Sequence, residues 1–197
     1  MQDGQPRRIH ISTDMFPEEK RLAMWREVYG RGIARVDIEP LTEEPFHADV
    51  TFNLLPDVAI ASGSRSAAHY RVTQELLKDP RDIIAVSILR SGEASAIQFG
   101  NELIGGVGSA SVLSGADPSV STLATDGNFI TLALSRPAIA ALAPDFEAAF
   151  GRPIPADDPA LRLLVKYLDA VLAADELDHP AVARSVSAHI LDLVALA

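Results

Sequence analysis

A chain of 197 residues, 48 % of them hydrophobic, is long enough to bury a substantial core in one domain or a close pair. Seventeen Lys and Arg stand against 27 Asp and Glu, a net charge of −10, and the scattered basic residues exclude a phosphate-gripping face, so this chain alone is not expected to hold nucleic acid. The longest strongly apolar run, "IIAVSIL" at 83–89, falls far short of the ~18 residues that span a bilayer, "MQDGQPRRIH" lacks an apolar signal core, and zero cysteines exclude thiol chemistry; a cytoplasmic protein with no membrane partner is expected.

In "STDMFPEEKRLAMWREVYG" the cap-type residues Ser12, Thr13 and Asp14 precede Pro17, which a first helical turn tolerates. Leu22, Trp25, Val28 and Tyr29 recur at helical spacing and Gly30 supplies a stop, so a first helix anchored in the core by Trp25 is expected. From 35 to 134 the pattern turns to short stretches with strand character: "RVDIE", "HADVTFNL", "DVAIAS", "HYRVT", "IIAVSILRS", "EASAIQF", "ASVLS", "SVSTLAT" and "NFITLAL". "FGNE" at 99–102 and "TDGNF" at 125–129 carry the residues of tight hairpins, and "TQELLKDP" allows a helical turn or two before Pro80. Many short strands without crossover helices predict an antiparallel sandwich or barrel.

After 134 the helical period returns. "SRPAIAALAPDFEAAFG" opens on Ser135 and Pro137 and is broken by Pro144. Asp158 caps the next helix, with Leu161, Leu164, Val165, Leu168 and Leu172 on one face. The last begins near Pro180 and carries Val182, Val186, Ile190 and Leu193 on one side, widened by Leu191, Val194 and Leu196. Joined by "AADELDH", the two form a helical hairpin whose apolar surface exceeds one contact.

The familiar catalytic signatures fail. A metal-binding jelly roll needs histidines two apart on one strand, whereas His10, His47, His69, His179 and His189 never come so close, so no metal and no other cofactor is expected. "GGVGSAS" at 105–111 has Ser111 where a dinucleotide loop needs Gly or Ala, and lacks the glycines of a serine elbow around Ser109; it reads as a turn between strands.

The order of these features resembles the N-terminal ligand-binding and dimerisation domain of AraC-type transcription regulators, of the cupin-like subgroup. The resemblance covers almost the whole chain. It is carried by "FPEEKRLAMWREVYG", "IEPL", "PFHADV", "YRVTQELLKDPRDIIAVSILRSGEASAIQFGNE", "SRPAIAAL" and "HILDLVALA". It implies an α+β fold: a cupin-like antiparallel β-barrel or jelly roll with an N-terminal helix and a C-terminal helical hairpin. Residues 1–134 would form the sensor and 135–197 a helical dimerisation segment packed on it. It further implies a non-enzymatic, allosteric role, in which a small organic effector in the barrel shifts the hairpin of a homodimer. DNA would be reached only through a helix-turn-helix domain following "LDLVALA", absent from this chain.

On the predicted strands, Arg65, His69, Arg71, Ser87 and Arg90 are the candidate ligand-binding side chains, and three arginines favour an anionic effector. Alternation puts some of them outside, and His69 and Arg71 share one face with Tyr70 on the other. Leu161, Leu164, Leu168, Val182, Val186, Ile190 and Leu193 are the candidate dimer contacts, or else the residues that seat the hairpin on the β domain. Two other classes stay open. A metal-free cupin-like enzyme of the isomerase type would need a carboxylate deep in the barrel, for which Glu93 and Asp49 are the candidates; a protein-interaction module would have no cavity at all.

Overall fold

Ile9 and Ile11, spaced two apart, lay the first described residues down as a strand. In the computed structural model, which describes residues 7–78, 82–174 and 176–197, this strand, β1 (Arg7–Ser12), runs antiparallel to β3 (Ala48–Leu55), with Ile9 opposite Phe52 and Ile11 opposite Val50. It is absent from the expected elements because Arg7, Arg8 and His10 surround its two apolar residues. Residues 1–6, Pro80 at the end of the expected helical turn, and Asp175 in "AADELDH" lie outside the described residues.

Ser12 caps the next turn by accepting from the Asp14 amide at 3.2 Å. The first helix, α1 (Glu18–Trp25), is present, but Gly30 does not end it. The chain continues as a π-helix over Arg26–Ala34 and stops at Arg35, whose φ of 54° is left-handed. Gly30 serves close packing instead: a Cβ there would lie 2.9 Å from the Val36 carbonyl oxygen, just before β2 (Asp37–Pro40).

The remaining strands are β4 (Val58–Arg65), β5 (Ala68–Val72), β6 (Ile83–Leu89), β7 (Ala94–Gln98), β8 (Asn101–Gly105), β9 (Ala110–Ser114), β10 (Ser119–Leu123), β11 (Gly127–Ser135) and β12 (Pro153–Ile154). They form two antiparallel sheets, ordered β1-β3-β4-β11-β6-β9-β12 and β2-β5-β10-β7-β8. The architecture is the cupin-like jelly roll, with the sheets left open at their edges rather than closed into a barrel. The expected "FGNE" hairpin joins β7 to β8, with Phe99 (φ 55°) and Gly100 (φ 76°) as its two left-handed residues. "TDGNF" is no hairpin: β10 pairs with β5 and β7, β11 with β4 and β6, so the segment carries the chain from one sheet to the other.

The larger sheet separates side chains by size. On β6 and β11, Ile84, Val86, Ile88, Ile130, Leu132 and Leu134 point outward and are buried beneath α2 (Arg136–Leu142), α3 (Pro159–Leu172) and α4 (Pro180–Leu196). Asp158 caps α3 by accepting from the Leu161 amide at 2.8 Å. The hairpin presents Leu161, Leu164, Leu168, Val186 and Ile190 to this sheet, and all five are buried in the chain's own core. A side chain with no accessible surface has none to offer a second copy. Of the candidate dimer contacts, only Val182, 37 % exposed, and the half-buried Leu193 keep surface; Leu163 (55 %) and Leu196 (75 %) are more open.

Candidate functional site

The inner phase of the same strands is small. Opposite the helix-facing Ile, Val and Leu stand Ala59, Ala61, Ala85, Ser87, Thr131 and Ala133, and these leave volume unfilled between the sheets. The result is a cavity of about 440 Å³, within the range of ligand sites. One end is mostly apolar, lined by Ile33 and Val36 around the end of the π-helix, Val72, and Leu76 and Leu77 after β5, with Arg35 as its charged residue. At its other end the cavity meets a smaller chamber of about 80 Å³, and Arg65, Ser87, Ser121 and Thr131 line both.

Hydroxyls concentrate at that junction. Ser87 lies directly opposite Ser111 on β9 and Thr131 on β11, so three hydroxyls form one rung across neighbouring strands, and the Ser87 and Thr131 oxygens are 3.0 Å apart. The facing sheet contributes Ser121, opposite Tyr70 in the ladder.

Arg65 closes the arrangement. Its guanidinium carbon lies 4.0 Å from the Tyr70 ring centroid and 4.1 Å from that of Phe129, a cation held between two aromatic faces. Among the described residues no carboxylate pairs with it, and its Nε is buried without a hydrogen-bond partner. The Tyr70 hydroxyl and the indole N–H of Trp25 are likewise buried without a partner of good geometry. Burial pushes the Tyr70 phenol up to about 12, and the neighbouring Arg65 charge offsets only part of this, so at neutral pH Tyr70 is an uncharged donor. Of these, Arg65 and Tyr70 line the cavity, and a cation beside a donor without an acceptor suits a bound anion.

The structure separates the candidate ligand residues. Arg65 and Ser87 line the cavity. His69 and Arg71 are on the outer face of the smaller sheet, His69 with Nδ1 2.9 Å from the Thr122 hydroxyl and Arg71 donating to Glu39, whose carboxyl this neighbour holds below the usual range. Arg90 reaches the other way, to Asp169 on α3 at 2.9 Å. The carboxylates considered for enzyme chemistry also lie elsewhere: Asp49 pairs with His10 at 3.0 Å, and Glu93 is exposed; neither lines the cavity. Trp25 is buried and stacks on Tyr29 with ring centroids 4.5 Å apart.

Tyr70, Ser111, Ser121 and Thr131 are cavity residues that the sequence reading did not select. Their signal was the phase of alternation. In "AVSIL" and "ITLAL" one phase is large and the other is Ala, Ser or Thr, which marks a face turned toward unfilled space.

The sequence profile of the AraC-binding-like domain matches residues 25–197. The chain belongs to this family. Compared with the sequences of curated proteins it matches none. Among solved structures the AraC-like transcriptional activator CuxR superposes with a TM-score of 0.80 at 20 % identity, over 96 % of this chain and 69 % of that one, which places this AraC-binding-like domain in the same fold. An RmlC-like cupin from Shewanella frigidimarina (TM-score 0.37, 12 % identity, 51 % of this chain and 85 % of that one) and a putative ethanolamine utilization protein from Salmonella typhimurium (0.37, 14 %, 47 % and 73 %) match about half of it. No helix among the described residues is long and apolar enough to cross a membrane.

Proposed function

We propose that this AraC-binding-like domain is the effector-sensing and dimerising part of a transcriptional regulator, with residues 1–134 as sensor and 135–197 as output. The observation that carries the reading is the cavity of about 440 Å³ with the unpaired Arg65 guanidinium on its wall. A chain that invested only in stability would fill that volume, because empty space forfeits packing energy, and would give the half-buried Arg65 a counter-charge. The effector is a small organic anion held by Arg65 and the hydroxyl rung, and no catalytic step is invoked.

The relay follows from the sheet. β6 and β11 carry cavity residues on one phase and the floor of the helical hairpin on the other, so a ligand that displaces Ser87 or Thr131 displaces Val86 or Leu132 beneath α3 and α4. Arg90, next to the small-chamber residue Leu89, ties the end of β6 to α3 through Asp169. The hairpin transmits this shift to the partner subunit and to a DNA-binding domain.

The test is a thermal-shift screen of small organic molecules on the wild type and on Ala85→Phe, which fills the cavity from one wall. Ligands that raise the melting temperature of the wild type and lose that effect in Ala85→Phe are expected. Hits that stabilise both proteins equally would place binding elsewhere and sink the sensor reading.

A further inference from the structure

We infer that the effector is a carboxylic acid with an extended apolar body, its head in the small chamber and its body in the large one. This rests on the cavity being the effector site and adds the chemistry of the ligand. Charge decides the head. Among the described residues Arg65 is the one charged residue lining the small chamber, so the chamber matches a monoanion such as a carboxylate. A phosphate head, close to dianionic at neutral pH, would leave charge unmatched against the Ser111–Ser87–Thr131 rung.

Hydrogen-bonding geometry agrees with charge. Arg65 supplies a planar fork that matches a carboxylate, while the hydroxyls of Ser87, Ser111, Ser121 and Thr131 can each turn a donor toward it. Tyr70, neutral across the physiological range, brings a further O–H without an acceptor of its own. Beyond this junction most of the lining is apolar, with Arg35, Ser114 and Ser119 among the polar residues of the large chamber outside the junction. Leu54, Ala85, Leu113, Val72, Leu77 and Ile33 line the large chamber, so a ligand fixed at its head lays an apolar body against them. A sugar would leave most of its hydroxyls against apolar side chains there.

Isothermal titration of the whole chain with hexanoate, octanoate and decanoate, each below its micelle concentration, tests this. Decanol, decylamine and decylphosphonate serve as matched heads. Affinity is expected to rise roughly tenfold per two methylenes from hexanoate to decanoate. Arg65→Gln is expected to lower decanoate affinity about 10- to 100-fold, and Ala85→Phe and, separately, Ala133→Phe to abolish it. Because Arg65 is half-buried and pairs with no carboxylate among the described residues, Arg65→Gln is expected to fold, and a melting curve of the free variant verifies this.

Decanol binding as tightly as decanoate, or decylphosphonate binding more tightly, overturns the carboxylate head. Affinity that does not grow with chain length, or no binding by any acid of the series, overturns the apolar body. Either failure leaves the cavity reading intact if other ligands are still blocked by Ala85→Phe or Ala133→Phe. Probes that bind both filled variants as they bind the wild type remove the cavity reading itself.

Discussion

Arg65 and Tyr70 carry most of the site, and they do so by being poorly satisfied. Folding buries the Tyr70 hydroxyl without a good acceptor, which costs about 1–3 kcal/mol relative to an apolar ring. Tyr70→Phe is therefore expected to leave stability at neutral pH unchanged or improved, as read from chemical denaturation. The alkaline limb separates the two proteins further. The folded phenol titrates near 12 and the unfolded one near 10, so the native state holds the extra proton between these values and stability falls as pH rises through that window. The wild type is expected to lose about 2 kcal/mol more than Tyr70→Phe between pH 10 and 12. Equal pH profiles would show that Tyr70 is not desolvated.

At the scale of elements, helices and sheet share one core, so the hairpin is not an appendage. Leu168 is fully buried between α3 and the strands, and Leu168→Ala is expected to cost about 2–5 kcal/mol in denaturant midpoint experiments. A cost below 1 kcal/mol would mean that the hairpin docks loosely. The helices were legible because their signals are local: the Asp158 cap, the prolines opening α3 and α4, and the leucines at helical spacing all act within a few residues. All nine expected strands are present for the same reason. The failures are non-local. β1 and β8 carry too few apolar residues to show alternation, and β12, two residues long, exists only through its pairing with β9. "TDGNF" has hairpin chemistry, yet sheet pairing set by distant strands decides that β10 and β11 never meet. The site divides along the same line: the small phase of "AVSIL" and "ITLAL" marks its cavity face, whereas in "HYRVT" both phases are large, so alternation sets Tyr70 opposite His69 and Arg71 without saying which of them faces the other sheet.

For the whole molecule, the remaining question is which surface a second copy would use once Leu161, Leu164, Leu168, Val186 and Ile190 are committed to the core. For the proposed dimer, the α3–α4 register points to one end of the hairpin. The Tyr167 hydroxyl and His189 Nδ1 share a hydrogen bond of 3.0 Å, which fixes the helices antiparallel with Leu163, one turn before Tyr167, and Leu193 and Leu196, one to two turns after His189, at the same end of the hairpin. Leu163 and Leu196 are the large apolar residues of α3 and α4 that the core leaves most open. Burying them between two copies removes apolar surface from water without disturbing the sheet contacts, which is the arrangement a relay needs: one hairpin face reads the sheet and the other meets the partner. Leu163→Asp is therefore expected to leave the melting temperature nearly unchanged, since the side chain is outside the core, and to convert a dimer to a monomer by light scattering. Leu168→Ala, by contrast, is expected to lower the melting temperature first and to weaken association only where folding is already failing. A Leu163→Asp protein that remains dimeric at the same concentrations would move the partner surface off this end of the hairpin.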